Sequence, residues 1–213
     1  SLDGSTGTAD VLIGTAGDDT FNLTDNTVAG FSFTGFESLD GSTGTADVLI
    51  GTAGDDTFNL TDNTVAGFSF TGFESLDGST GTADLLIGTA GDDTFNQTDN
   101  TVNGINFTGF ENLDGAVGTA DVLIGTTGND TFDLAVITNF ESLDGSTGTA
   151  DVLVGTTGDD TFNLTDDTVN GISFTGFESL DGSTGVADVL VGTAGDDTFN
   201  LADNTVAGFS FTG

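Results

Sequence analysis

Short apolar runs alternate with clusters of glycine and small polar residues along the whole chain. Among residues 1–39 the apolar runs are DVLI (10–13), TFNL (20–23) and FSFTGFESL (31–39). They are rich in β-branched and aromatic residues, and turn clusters such as DGSTG and GTAGD separate them, as is typical of β-strands. Because the apolar positions show no period of about 3.6 residues, helices are not expected. The pattern predicts an all-β protein with short strands.

The same pattern recurs at a fixed interval. The phrase SLDGSTGTADVLIGTAGDDTFNLTDNTVAGFSFTGFE fills residues 1–37 and returns five times. The sequence therefore predicts a single array of six repeats, without a linker or a second domain: units 1–37, 38–74, 75–111, 112–141, 142–178 and 179–213. The fourth unit has 30 residues and aligns best when TDNTVAG (24–30) is removed. Those seven residues look like an excursion from the rest of the repeat.

A repeat of this size can bury its apolar face only against the next repeat. We therefore predict a right-handed parallel β-solenoid, either a β-helix or a β-roll. A β-propeller is the weaker alternative, because its blades usually have about 40 residues or more and four strands. We favour one coil per repeat, with two thinner coils of about 18 residues as the alternative. One coil per repeat would stack equivalent phenylalanines on one another: Phe21, Phe58, Phe95, Phe132, Phe162 and Phe199.

Differences between the repeats act as substitutions within one molecule. Phe31 is replaced by Ile105, and Ile13 by Val154, so both positions are expected to be interior. Gly35 is replaced once, by Asn139. Gly and Asn are the residues that most readily adopt positive φ, which predicts a left-handed turn at this position.

The chain has many negatively charged side chains and no positively charged one. Its 35 acidic residues face no Lys, Arg or His, and the formal net charge is -35. Nucleic acid is not expected as a partner, because phosphate recognition depends on Lys and Arg. Membrane insertion is not expected, since no apolar run approaches the ~20 residues of a membrane helix. We also expect no enzyme, because only carboxylates could act and each has copies in the other repeats.

Six acidic positions recur in the repeats: Asp3, Asp10, Asp18, Asp19, Asp25 and Glu37 in the first copy. Stacked coils would bring like charges to about 5 Å from one another, at a cost of about 1 kcal/mol per pair in water. Such columns of acids favour hard divalent cations with all-oxygen ligands, and Ca²⁺ suits flexible oxygen geometry better than Mg²⁺. Solvated turn acids are the alternative. Asn129 replaces Asp18 in one copy, so that position requires turn chemistry rather than charge.

One segment resembles a known motif. GTAGDDTFN (14–22) is similar to the RTX (hemolysin-type calcium-binding) nonapeptide G-G-x-G-x-D-x-U-x, with Thr15 in place of the second glycine. The resemblance implies a glycine-rich turn around Ca²⁺ followed by a short strand. It places the motif's conserved types on Gly14, Gly17, Asp19 and Phe21. STGTADVLI (5–13), nine residues upstream, gives Asp10 the same spacing.

The resemblance implies two sets of aspartate ligands. The first set is Asp19, Asp56, Asp93, Asp130, Asp160 and Asp197. The second set is Asp10, Asp47, Asp84, Asp121, Asp151 and Asp188. Turn glycines complete the expected sites: Gly14, Gly17, Gly51 and Gly54.

These expectations combine into a structural role. GFESLDGSTG also resembles repeat tracts of large secreted bacterial adhesins and surface fibres. We therefore expect a calcium-stabilised segment of an extracellular or cell-surface bacterial adhesin or filament. The chain begins without an initiator Met or a signal peptide, which is expected of a processed chain or a piece of a longer one. Because neither end has a polar cap, we expect further repeats, or copies of the chain, to stack end to end.

The alternative function is a binding module for ice or carbohydrate. It would use a regular face of threonines such as Thr6 and Thr8. Val117 replaces the first and Val186 the second in other repeats, which we interpret as half-buried positions where shape matters more than the hydroxyl.

Overall fold

The computed structural model describes all residues, 1–213, and contains β-strands but no helix. A full repeat contributes up to five short strands. The first strands are β1 (Leu2–Asp3), β6 (Ser38–Asp40), β11 (Ser75–Asp77), β16 (Asn112–Asp114), β19 (Ser142–Asp144) and β24 (Ser179–Asp181). The second strands are β2 (Val11–Ile13), β7 (Val48–Ile50), β12 (Leu85–Ile87), β17 (Val122–Ile124), β20 (Val152–Val154) and β25 (Val189–Val191).

The remaining strands of each repeat are two to four residues long. The third strands are β3 (Thr20–Asn22), β8 (Thr57–Asn59), β13 (Thr94–Asn96), β18 (Thr131–Asp133) and β21 (Thr161–Asn163). The fourth are β4 (Thr27–Val28), β9 (Thr64–Val65), β14 (Thr101–Val102), β22 (Thr168–Val169) and β26 (Thr205–Val206). The fifth are β5 (Phe31–Thr34), β10 (Phe68–Thr71), β15 (Ile105–Thr108), β23 (Ile172–Thr175) and β27 (Phe209–Thr212).

The chain divides into two compact units, which we describe separately. The first comprises residues 1–91 and 100–116, and the second comprises residues 92–99 and 117–213. In the first unit one sheet has the order β1-β5-β4-β3-β7-β11-β15-β14, and the other has the order β16-β12-β8-β9-β10-β6-β2. In the second unit the orders are β13-β17-β19-β23-β22-β21-β25 and β18-β20-β24-β27-β26. Both units are two-sided parallel β-solenoids, and the predicted fold class is confirmed.

Each full repeat makes three half-turns. In the first unit the chain passes from β1 in one sheet to β2 in the other, and then returns to the first sheet for β3, β4 and β5. The next repeat begins with β6 in the opposite sheet. A repeat is therefore one and a half coils long, and the expectation of one coil is wrong, as is the alternative of two.

The seven-residue excursion is a hairpin that stays within one sheet. The fourth strand pairs antiparallel with the third and the fifth, as in the pairing of β4 with β3 and β5. Ala29 and Gly30, between β4 and β5, both have positive φ, at 49° and 78°, as a two-residue type I′ turn requires. In the second unit the short repeat from β18 to β19 and the full repeat from β21 to β24 both change sheets. Losing the hairpin therefore leaves the next strand on its normal side.

Inward residues of all five strands of a repeat form the core, and Val65 and Phe70 of the fourth and fifth strands are 1% and 6% exposed. Leu39, Leu49 and Phe58 are fully buried, at 0% exposure. The expected column of stacked phenylalanines is wrong, because half-turn stacking places Phe21 beside Leu49 in the parallel register. The ring of Phe21 instead packs edge-to-face on Phe73, with 5.2 Å between the ring centroids.

The two positions expected to be interior differ. Ile13 is 60% exposed beside buried Leu12, so it lies on the outer surface, and its replacement by Val154 reflects strand propensity rather than burial. Phe31 is 55% exposed but stands two residues from buried Phe33, on the same face of β5. The equivalent Phe68 packs edge-to-face on Phe33, with 6.3 Å between the ring centroids, so this position lies at the edge of the core. The predicted left-handed turn is confirmed, since φ is +70° at Gly35 and +59° at Asn139. This turn divides the expected strand FSFTGFESL into β5 and β6, which lie in opposite sheets.

Candidate metal site

Acidic residues stand immediately before the first three strands of a repeat, and strand pairing brings them together. The backbone N–H of Asp19, before β3, donates to Oδ1 of Asp47, before β7, at 2.7 Å. The backbone N–H of Asp47 donates in turn to Oε2 of Glu74, before β11, at 3.0 Å. We call such a group of three acids in consecutive coils an acid stack, with a first, a middle and a last acid.

Four complete acid stacks are present, two in each unit. They are Asp19–Asp47–Glu74, Asp56–Asp84–Glu111, Asp93–Asp121–Glu141 and Asp130–Asp151–Glu178. Two partial stacks are Asp10–Glu37 and Asp160–Asp188. In the first unit the strand that follows Glu74 in the next coil is the fifth strand of the next repeat, where the N–H of Asn106 donates to the Glu74 carbonyl. That strand carries no acid, so the expected continuous columns of identical acids are replaced by short mixed stacks.

The glutamates of these stacks were not among the expected site residues. The sequence nevertheless contains a pattern that identifies them. ESLD, DVLI and DTFN each have an acid at the first position and a buried apolar residue at the third. Glu37 precedes Leu39 as Asp47 precedes Leu49. Each repeat therefore contains three acid-plus-strand segments, one for each half-turn.

The middle acid has a buried oxygen that no protein group satisfies. The Oδ2 atoms of Asp10, Asp47, Asp84, Asp121 and Asp151 are buried and have no hydrogen-bond partner. Asp84 is 0% exposed, and the chain contains no basic side chain to neutralise it. Burial raises the pKa of Asp84 above its ordinary value, and the nearby charges of Glu111 and Asp56 act in the same direction. Burial likewise raises the pKa of Asp121.

Glycine backbone covers these carboxylates closely. A Cβ added to Gly44 would overlap Oδ2 of Asp47 and lie 2.6 Å from its Oδ1. A Cβ on Gly148 would overlap Oδ2 of Asp151 and lie 2.5 Å from the carbonyl oxygen of Gly128, in a turn of the adjacent coil. Carboxylate and carbonyl oxygens thus converge where only glycine fits, which is the donor chemistry that Ca²⁺ prefers.

The first acid of a stack is used differently. The backbone N–H and the hydroxyl of Thr52 both donate to Oδ2 of Asp56, at 2.6 and 2.9 Å. Asp19 and Asp130 accept the same pair of hydrogen bonds from Thr15 and Thr126. This carboxylate therefore caps its own turn. Asp197, in the last repeat, accepts the hydroxyl hydrogen bond of Thr193 at 2.8 Å.

The four expected turn glycines fall into two classes. A Cβ on Gly14 or Gly51 would lie 2.8 or 2.6 Å from Oδ2 of the first acid, so these positions require glycine. On Gly17 or Gly54 the nearest atom to an added Cβ is a threonine Oγ1, at 3.7 or 3.8 Å. The second class has no steric need for glycine.

The family comparison agrees with this geometry. A family model described as the RTX calcium-binding nonapeptide repeat (4 copies) matches residues 5–24, 34–62, 71–96, 116–134, 145–171 and 182–203. The chain belongs to this family. Its RTX repeats are therefore calcium-binding repeats. No curated protein and no solved structure gave a match.

The residues present fit a Ca²⁺ ion. The five buried Oδ2 atoms without a hydrogen-bond partner and the glycine backbone over them provide oxygen donors without a competing cation. No group of three or more acidic side chains is arranged to hold a metal ion alone. The ligands in these RTX repeats would thus be a carboxylate together with turn carbonyls, and the bound ion would supply the positive charge that the chain lacks.

The acid adjacent to the first acid links coils through hydrogen bonds. Oδ1 of Asp55 accepts the backbone N–H groups of Thr82 and Ala83, at 2.8 and 3.2 Å. In the fourth repeat Asn129 accepts the equivalent pair. The prediction that this position does not require charge agrees with these contacts, although the side-chain oxygen binds the adjacent coil rather than its own turn. At the equivalent Asp92, the N–H of Thr119 lowers the carboxyl pKa below its ordinary value.

The threonines considered for ice binding lie in turns. Thr6 and Thr8 are exposed between β1 and β2. Val186, at the equivalent of Thr8, is 96% exposed, so the interpretation of these positions as half-buried is wrong. The outward residues that neighbour each other on adjacent strands differ in type, so they do not form a row of threonines. Thr20 pairs with Val48, and Val48 pairs with Ser75.

Proposed function

We propose that the chain is a structural segment of an extracellular or cell-surface bacterial protein, an adhesin or a filament, whose coils are stabilised by Ca²⁺. The observation that carries this proposal is the set of five buried, unpaired aspartate oxygens in a chain without any basic side chain. A buried carboxylate without a partner costs several kcal/mol, and a bound cation removes that cost. The family membership supports Ca²⁺ as the cation.

The net charge supports folding coupled to the ion. A charge of -35 opposes compaction through self-repulsion until cations bind. Metal sites that exist only in the folded state convert binding free energy into folding free energy. A segment of this kind folds where Ca²⁺ is abundant, as it is outside the cell.

A calcium titration followed by circular dichroism tests the proposal. In EGTA we expect reduced β-structure and a lower Tm, both restored by Ca²⁺ but not by an equal concentration of Mg²⁺. A site at 100 times its Kd adds about 2.7 kcal/mol to the free energy of unfolding, so several sites should shift the Tm strongly. A β-spectrum and a Tm that are identical in EGTA and in Ca²⁺ would reject the calcium-stabilised role.

A structural role requires no catalytic group. A repeat β-solenoid of the RTX kind is a structural fold, and every acid of the stacks has equivalents in neighbouring repeats. The structure contains no helix that could serve as a membrane span. We therefore propose a non-catalytic spacer or fibre segment.

The proposed partners are further repeats of the same kind, or copies of this chain, stacked end to end. Support comes from the uniform pairing between coils, in which the second strand of each of the first five repeats pairs in parallel with the first strand of the next, as β7 does with β11. Light scattering in Ca²⁺ should show mass that increases with protein concentration if copies stack. A constant monomer mass over that range would exclude stacking of copies.

A further inference from the structure

The two aspartate sets of the RTX repeats differ in what their carboxylates already bind. The first acids match the Asp of the motif GTAGDDTFN, and the middle acids match the Asp of the upstream STGTADVLI. We propose that Ca²⁺ is held by the middle acids, and that the first acids, although they stand in the better motif match, are turn caps that bind no ion. This inference rests on the proposed calcium-stabilised function and assigns its ligands.

In the middle carboxylate one oxygen accepts a hydrogen bond and the other has no hydrogen-bond partner. Oδ1 of Asp84 accepts the N–H of Asp56 at 2.6 Å, whereas its Oδ2 is buried without a partner. No side chain can donate a charged hydrogen bond to Oδ2, because Lys, Arg and His are absent. A buried carboxylate is retained when it is paired or coordinates a metal, so the missing partner is a cation from solution.

Threonine accounts for the different role of the first acid. Thr15 stands where the nonapeptide has its second glycine, and threonine occupies the equivalent position in all six repeats. Its N–H and hydroxyl both donate to Oδ2 of Asp19. A cation at that oxygen would have to displace two hydrogen bonds, whereas a cation at the middle acid displaces none.

The oxygen donors also determine how many Ca²⁺ ions bind and how tightly each is held. Five middle-type aspartates have the buried free oxygen, and each acid stack contains one of them, with Asp10 in a partial stack as the fifth. Since no three acids converge, each ion would have few charged ligands and several carbonyl ligands. Low ligand charge places such sites in the weak range of extracellular modules, with Kd on the order of 10⁻⁴ to 10⁻³ M.

Two matched variants of the full chain test the assignment. The middle-acid variant carries Asp47→Asn, Asp84→Asn, Asp121→Asn and Asp151→Asn. The first-acid variant carries Asp19→Asn, Asp56→Asn, Asp93→Asn and Asp130→Asn, from the same four stacks. Both change the net charge from -35 to -31, since four charges are removed, so general charge effects are matched. Asn has the shape of Asp and retains an oxygen that accepts the neighbouring N–H.

Isothermal titration calorimetry with Ca²⁺, and the Tm in EGTA and in Ca²⁺, provide the readouts. The middle-acid variant should fold in EGTA at least as well as the unmodified chain. Its bound ions should fall from five to one, because four of the five free oxygens are removed, and its Tm should no longer rise with Ca²⁺. The first-acid variant should still bind five ions, with a Tm lowered equally in both conditions.

The outcomes separate the assignment from the function. If the unmodified chain binds Ca²⁺ but only the first-acid variant loses it, the assignment is overturned and the calcium-stabilised function stands. If the unmodified chain binds no Ca²⁺, the function itself fails. Should the fourfold middle-acid variant not fold, Asp84→Asn alone is expected to remove one ion and Asp56→Asn alone none, and the reverse result would overturn the assignment.

Discussion

Gly78→Ala is expected to lower the free energy of unfolding by about 3 kcal/mol, the upper end of the usual cost of overpacking, as measured by urea unfolding in Ca²⁺. A Cβ on Gly78 would overlap the carbonyl oxygen of Gly109 in the neighbouring coil. Both groups are backbone, so no flexible side chain can move aside and the two coils must separate. The loss is large compared with the total stability of about 5–15 kcal/mol that is typical of folded proteins.

Gly91→Ala, in the same repeat, is the matched control. The nearest atom to an added Cβ there is Oγ1 of Thr89 at 3.7 Å, an ordinary contact, and φ is not positive. We expect the free energy of unfolding to change by less than about 1 kcal/mol, because alanine fits there and also restricts the unfolded chain. Equal urea midpoints for the two variants would show that the coils are not in close contact at Gly78.

Phe58→Ala is expected to lower the free energy of unfolding by about 3–5 kcal/mol, which urea unfolding in Ca²⁺ would measure. The ring is 0% exposed and packs edge-to-face against Phe110 in the next repeat, with 5.1 Å between centroids. Its removal leaves a cavity between two sheets that hydrogen bonding across the coils prevents from collapsing fully. The loss combines the burial of an aromatic ring with the cavity term.

Phe31→Ala provides the comparison at the edge of the core. Its ring is 55% exposed, so we expect a loss below about 1 kcal/mol. The pair tests the difference in burial between two phenylalanines of the same repeat array. A greater loss for Phe31→Ala than for Phe58→Ala would contradict the burial described above.

Much of the fold follows from the sequence because strand residues and turn residues recur at equivalent positions of the repeats. The strands at DVLI and TFNL, and the left-handed turn shared by Gly35 and Asn139, were predictable from composition and from one substitution. The number of coils was not, because it depends on whether the seven-residue excursion crosses between sheets. Two repeats contain a clear signal at this point: Asn103-Gly104 and Asn170-Gly171 are type I′ hairpin sequences, with φ positive at all four residues.

The candidate site was predictable in residue type but not in arrangement. Asp19 and Asp47 were both expected ligands, yet their division of roles depends on a hydrogen bond from Thr15 that spacing does not reveal. Glu74 was missed because stacking was assumed to join equivalent positions of consecutive repeats. Once a repeat is known to make three half-turns, a middle acid must meet a first acid on one side and a glutamate on the other.

The odd number of half-turns also has a consequence for how each unit presents itself to other molecules. Consecutive full repeats in a unit are related by a rotation of about half a turn together with a translation, which is a local twofold screw operation. The same repeat surface therefore appears alternately on opposite sides, and neither side of a unit is unique. Any molecule that recognises one repeat would find equivalent surfaces facing in two opposite directions.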